Sequence, residues 1–324
     1  MNLQAVFEAI EPEFSILKKE LIETLKSEVA LSDEIFTYVS ERGGKRLRPI
    51  LVILSAKVCG QTEGSTIKSA IAMELLHTAT LIHDDVIDEA PTRRGSESVN
   101  KIWKNRLSVF VGDHMFAQTL KILNQLNNLE AISILAETAQ IMTEGELLQI
   151  ETKRKVDIPL EIYLKLIEAK TAALFMASCK LGVITSGNNT LEARNAIQNY
   201  AKNLGIAFQI KDDLLNFQGE FEKTGKPQGN DLLEGKLTLP MILALETCDK
   251  KERKEIISKV KKGIELNNLE YFINFINRYE GLEKSELMAQ KFVEKGISSL
   301  DFFDDSKYKN ALIELLQFTV SREN

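Results

Sequence analysis

Two short acidic runs carry the clearest chemistry in this sequence. The first is Leu81-Ile82-His83-Asp84-Asp85-Val86-Ile87-Asp88 and the second Phe208-Gln209-Ile210-Lys211-Asp212-Asp213-Leu214-Leu215-Asn216. Asp84 and Asp88 are one helical turn apart, which projects both carboxylates from one face with Cβ atoms about 6 Å apart. On an otherwise apolar helix such a pair repels itself and is costly to desolvate, so a positive partner is needed. A hard divalent ion, Mg²⁺, suits two carboxylates at this spacing when substrate phosphates complete its shell. Acid pairs also occur on solvated helix faces, and Arg93 and Arg94 offer another partner. Recurrence of the pattern on a second apolar helix favours two facing acid clusters that grip metal ions between them.

The cations have a pattern as well. Lys45, Arg46 and Arg48 follow a Gly43-Gly44 turn, Arg93-Arg94-Gly95 follows the first acids, and Lys170-Thr171, Lys226 and Lys236 come later. Arginine fits phosphate oxygens bidentately and lysine acts as a point charge on them. Each alone is ordinary surface charge; beside acids and a metal they point to a polyphosphate substrate. His77 lies seven residues before Asp84 on the same side of the helix, as a core histidine or as a phosphate ligand. With only three histidines and no cysteine beside any of them, a nucleophilic triad has little support.

Helices must position these groups. Apolar spacing predicts them over 5–40, 66–89, 108–125, 130–151, 159–186, 190–216, 238–248, 250–262, 283–300 and 306–321, with a further apolar stretch up to Val58. The 66–89 helix is apolar nearly all round, so it is central to the fold. There is no strand-like alternation of useful length, no nucleotide-binding glycine loop and no fixed repeat. The loop from Gly219 to Thr238, with Pro227 and four glycines, reads as a lid. Only 17 glycines and 6 prolines in 324 residues favour long helices, and composition does not shift along the chain. The expectation is one all-α domain over 1–324. A net charge of −6 argues against a nucleic-acid-binding surface. Cys59, Cys179 and Cys248 are far apart and form no CxxC, which supports neither a zinc site nor a disulfide framework. Residues 1–8 resemble no signal peptide, and the strongest apolar run, Ile50 to Leu54, is far short of the roughly 20 residues of a membrane span. The expected setting is the cytoplasm.

The ordered set of motifs resembles the trans-isoprenyl (polyprenyl) diphosphate synthase family, long-chain type. Gly44-Lys45-Arg46-Leu47-Arg48-Pro49 matches its isopentenyl-diphosphate motif, and Asp84-Asp85-Val86-Ile87-Asp88 with Arg93-Arg94-Gly95 matches its first aspartate-rich motif. Gly112-Asp113, Gly145-Glu146 with Gln149, Lys170-Thr171, Phe208-Gln209 with Asp212-Asp213, Gly225-Lys226 and Gly235-Lys236 follow in the family's order, from about residue 20 to the end. The resemblance implies an all-helical domain around a deep central cavity, the isoprenoid synthase fold, usually homodimeric. It implies Mg²⁺ ions held by Asp84, Asp88 and Asp212, with Asp85, Asp213 and Asn216 as further members of the metal motifs. Lys45, Arg48, His77 and Arg94 would hold isopentenyl diphosphate; Arg93, Lys170, Thr171, Gln209, Lys226 and Lys236 would hold the allylic diphosphate. Membrane contact is expected to be peripheral at most, for product release.

One departure stands out. The family's second motif usually ends in Asp, and this chain has Asn216. Asp212, Asn216 and Glu220 also fall at i, i+4 and i+8, close to the metal triad of class I terpene cyclases. Lys45, Arg48 and His77 weigh against a cyclase, which has no second diphosphate to bind. A silent subunit of a heteromeric synthase is a further alternative, but such subunits should have lost acids that remain here. Product length should be set along the helix of Asp84, where Thr80 and Ala79 form the first layer and Leu76 and Met73 lie deeper, about one isoprene unit per 5.4 Å turn. Short-chain members of the family place bulky aromatics in that first layer. Its small residues here imply a long-chain product rather than a farnesyl or geranylgeranyl diphosphate.

Overall fold

The computed structural model describes residues 3–153, 157–218 and 228–322. The chain opens with α1 (Gln4–Ala9), α2 (Glu11–Leu25) and α3 (Ala30–Glu41). The single helix expected over 5–40 is therefore broken twice. Pro12 belongs in a first helical turn, where it opens α2, and Lys26 ends α2 in an extended conformation. α4 (Leu47–Cys59) is buried from Pro49 through Ala56, and α5 (Gly64–Ile87) is buried over most of its length, as a helix apolar all round demands. Glu63 and Thr66 close a reciprocal cap at the start of α5.

A short antiparallel hairpin follows, β1 (Thr92–Arg93) and β2 (Ser96–Glu97). Arg94 and Gly95 form its turn with φ of 52° and 76°, the two-residue geometry that matches strand twist. α6 (Val99–Asn124) starts earlier than the helix expected over 108–125 and kinks at Lys104 (φ 71°, ψ 161°). Then come α7 (Leu129–Lys153) and α8 (Leu160–Ile167), a π-helical turn (Glu168–Ala172) and α9 (Ala173–Ile184). That turn interrupts the helix expected over 159–186. The rest is α10 (Leu191–Gln218), α11 (Asn230–Leu233), α12 (Leu239–Thr247), α13 (Lys250–Lys261), α14 (Leu269–Arg278), α15 (Gly281–Ser299) and α16 (Lys307–Ser321). The expected helices omitted α14. Leu269, Phe272, Phe275 and Ile276 share its buried face, but ten residues give a period count little to work with.

α5 packs along α6 and against α4 and α9; α10 packs along α15, α9 and the π turn. α9 thus touches both acid-bearing helices. Gly205 permits the approach of α10, since a Cβ there would lie 2.4 Å from Ala172 Cα.

Candidate active site

Both acidic runs lie at the C-terminal ends of their helices, α5 and α10, where the helix dipole already concentrates negative potential. Acids in that position call for a cation. Asp84 is half-buried and Asp88 exposed, and neither carboxylate makes a hydrogen bond or ion pair among the described residues. Burial, aided by Glu146 and Asp88, pushes the Asp84 carboxyl up to about 6, while Lys170 and Arg93 pull it down. Asp85 turns inward and accepts from Arg93, with Nε 2.9 Å from its Oδ1.

The second run is held by the protein at Asp212, Asp213 and Asn216. Arg322 Nη2 donates to Asp212 Oδ1 at 2.5 Å, and its guanidinium lies 3.9 Å over the Phe208 ring. Recess from bulk water raises the Asp212 carboxyl, offset by Arg322, Arg48 and Lys45. Asp213 accepts from the Tyr163 hydroxyl at 2.6 Å and the Gln209 amide at 3.0 Å, and burial lifts it to about 7. Asn216 Oδ1 accepts from the Asp231 backbone N–H at 3.2 Å, and its own carbonyl from Gly229 N–H at 2.8 Å. Asn216 therefore ties the segment around α11 to α10.

The cations divide between two pockets beside these acids. One, of about 480 Å³, lies at the N-terminus of α4 and is lined by Lys45, Arg48, His77 and Arg94, together with Glu74, Asp212 and Arg322. Arg48 stacks 4.4 Å over Phe175, and burial draws its guanidinium down to about 10. Burial, with Arg48, Arg94 and Arg93 close by, holds His77 well below the usual imidazole range, so it is neutral at pH 7. Arg46 and Arg94 both take left-handed backbone (φ 53° and 52°), at about 1–2 kcal/mol each. Gly44 lets Arg94 in: a Cβ there would lie 2.6 Å from Arg94 Cζ. Arg48 Nε and Glu74 Oε2 are buried with no hydrogen-bond partner among the described residues.

The other pocket, about 220 Å³, is lined by Lys170, Thr171, Gln209, Asp213, Asp231 and Lys236 among others. The π turn presents Lys170 and Thr171, a device that recurs at functional sites. Lys170 Nζ donates to Glu146 at 2.8 Å and also to Gln149. At Lys236 burial favours the neutral form, but Glu234 at 2.7 Å, with Asp88 and Asp231, holds its pKa above the ordinary value. The influence of Lys170 on Asp84, and of Asp88 on Lys236, places the first acids within electrostatic reach of this pocket.

All four residues assigned to isopentenyl diphosphate from the sequence line the first pocket. Of the allylic set, Lys170, Thr171, Gln209 and Lys236 line the second; Arg93 lies on Asp85 instead. Lys226, Glu220 and much of the proposed lid fall outside the described residues. Met73, Leu76 and Ala79 are packed in the main apolar cluster, and the half-buried Thr80 donates to the His77 carbonyl at 2.8 Å. Sequence reasoning passed over Glu74, Tyr163 and Arg322. Glu74 had a signal, as a lone acid three residues before His77 on an apolar helix. Tyr163 and Arg322 are 50 and 110 residues from Asp213 and Asp212, so nothing local marks them.

Among the described residues, no three His, Cys, Asp or Glu side chains are gathered to hold an ion by themselves. Mg²⁺ is commonly bound by one or two carboxylates with substrate phosphates and water completing its shell, and the open Asp84–Asp88 pair fits that donor set.

An all-α scaffold that brings two acid-bearing helix ends beside two cationic pockets has the charge to receive two anionic groups side by side. The chain belongs to the polyprenyl synthetase family, whose model matches residues 29–275. It is 33% identical over 323 residues to octaprenyl diphosphate synthase of Escherichia coli (strain K12), with 100% of each chain covered. It is 34% identical over 325 residues to heptaprenyl diphosphate synthase component 2 of Geobacillus stearothermophilus, again with 100% of each covered. Polyprenyl synthase from Caulobacter crescentus CB15, complexed with calcium and isoprenyl diphosphate, has the same fold: TM-score 0.91 at 31% identity, covering 100% of this chain and 98% of that one.

Proposed function

We propose that this chain extends an allylic diphosphate with isopentenyl diphosphate, head to tail and trans, to a long-chain polyprenyl diphosphate of the kind used for quinone side chains. The observation that carries this reading is the division of the cations into two pockets on either side of Asp212 and Asp213. A cyclase, with one diphosphate to bind, has no use for the second.

Lys170, Thr171 and Lys236 grip the allylic diphosphate, and Lys45, Arg48 and Arg94 grip isopentenyl diphosphate, with neutral His77 offering a hydrogen bond. Mg²⁺ at Asp84, Asp88 and Asp212 supplies, when bound, Lewis-acid neutralisation of the leaving diphosphate. Breakage of the allylic C–O bond leaves a carbocation, which the apolar wall of α5 shields from water. The double bond of isopentenyl diphosphate attacks it, and the released diphosphate takes the proton, so no side-chain base is required. Asp85, Asp213 and Asn216 would support the site through Arg93, Gln209 and the Asp231 backbone.

Small Ala79 and Thr80, and relatives named for octaprenyl and heptaprenyl products, support the long chain. Purified protein given Mg²⁺, farnesyl diphosphate and isopentenyl diphosphate should release products well beyond geranylgeranyl length. Ala79→Phe should shorten them while leaving the first condensation intact. A wild type that stops at farnesyl, or an unmoved product spectrum in Ala79→Phe, overturns the chain-length reading.

The working unit in this reading is a homodimer in the cytoplasm. Val109, Phe110, Phe116 and Leu120 of α6 are at least a third exposed, an apolar face that a second copy would cover. The three cysteines are free thiols. No helix of the described residues is long and apolar enough to cross a membrane, so product transfer would use peripheral contact. Because one relative is named as a component, activity of the purified chain alone, at dimer mass, is the discriminating result.

A further inference from the structure

Tyr163 belongs to neither acidic motif and to no cationic set, yet it anchors a continuous hydrogen-bond chain across the second pocket. Its hydroxyl donates to Asp213 Oδ2 at 2.6 Å. Asp213 Oδ1 accepts from Gln209 Nε2 at 3.0 Å, and Gln209 Oε1 accepts from Thr171 Oγ1 at 2.7 Å. With Asp213 ionised, the Gln209 amide donates to it and accepts from Thr171, which links the three side chains in one direction. The chain joins α8 and the π turn that continues it to the last turns of α10, about 40 residues further along the sequence. Tyr163 is 5% exposed, and its ring packs in an apolar cluster with Ile167, Ile210 and Leu239. Its hydroxyl is thus fixed by packing, and Asp213 would lose a donor in a buried place without it.

Resting on the function proposed above, we infer that Tyr163 is a positioning residue for the allylic diphosphate. Through Asp213 and Gln209 it sets the place of Thr171, and of Lys170 beside it, at the leaving group. Gln209 is then a link in this chain, with its amide engaged at both ends, rather than a direct diphosphate contact.

Tyr163→Phe keeps the ring and removes only the hydroxyl. The expected result is a KM for farnesyl diphosphate raised about tenfold, the scale of a small misplacement of a binding group, with the KM for isopentenyl diphosphate moved less than about twofold. Partial unfolding would lower apparent kcat but leave KM alone, so the KM split reports only folded enzyme. Thr171→Val should raise the same KM, and the double variant should be no worse than Thr171→Val by itself, since the effect of Tyr163 runs through Thr171. An unchanged farnesyl KM in Tyr163→Phe, equal shifts for both substrates, or full additivity in the double variant overturns the relay. A wild type that makes no prenyl product would instead overturn the function on which it rests.

Discussion

The two acid-bearing helix ends look alike in sequence and differ in the folded protein. At the end of α5, the Asp84 and Asp88 carboxylates make no hydrogen bond or ion pair among the described residues, and only that of Asp85 is engaged. At the end of α10 the corresponding side chains are all occupied: Asp212 by Arg322, Asp213 by Tyr163 and Gln209, Asn216 by the Asp231 backbone. The first end is built to be completed from outside. The second is already engaged from within, so a metal ion reaching Asp212 must share its carboxylate with a guanidinium. Two copies of one motif can thus do unequal work, because a motif sets which groups are available and the surrounding packing sets which remain free.

The largest effect that tests this contrast is at the open end. Asp84→Ala or Asp88→Ala should lose at least ~10³-fold in turnover, since metal-assisted ionisation supplies several kcal/mol of the barrier. Folded variants with near-normal turnover would remove the metal from α5. Next in size is a pH effect. With Asp84 near 6, a proton competes with the ion below that pH, and half-saturating Mg²⁺ should rise by up to about tenfold per unit. The sign for the metal-free protein is opposite to the usual carboxylate case. The folded-state pKa lies above the ordinary 3.8, so the folded state binds the proton more readily and Asp84 should favour stability as pH falls through 6 towards 4. Thermal melts of wild type and Asp84→Asn, with chelator, would show whether that gain depends on Asp84.

A smaller effect belongs to the occupied end. Arg322→Ala frees Asp212 from an ion pair worth up to about 1 kcal/mol, so half-saturating Mg²⁺ in substrate-free protein should fall by up to roughly fivefold. A rise would mean that Arg322 holds Asp212 in place for the ion rather than against it. Smallest is Asn216→Asp. A carboxylate keeps an oxygen for the Asp231 N–H and adds a charged one, so Mg²⁺ dependence should tighten slightly or stay unchanged. Clear weakening in a Mg²⁺ titration would show that the tie to the α11 segment needs a neutral amide.

Much of this molecule was legible in its residues alone. The all-α class and most of the long helices follow from apolar periodicity, a local property of the chain; the sorting of the cations into two sets came from the resemblance of the ordered motifs to a family. Helix breaks were less legible: a proline that opens α2 and a π turn inside the helix expected over 159–186 leave the period almost undisturbed. Tertiary structure alone decided which acids are free. Asp213 and Asp212 receive their partners from Tyr163 and Arg322, 50 and 110 residues away, and Arg93 turns to Asp85 rather than to the second pocket. Spacing along a chain fixes which side chains share a helix face, because the backbone repeat is short and rigid. Which distant group fills a carboxylate is settled only when whole helices dock, because burying it unpaired would cost more than almost any single contact returns.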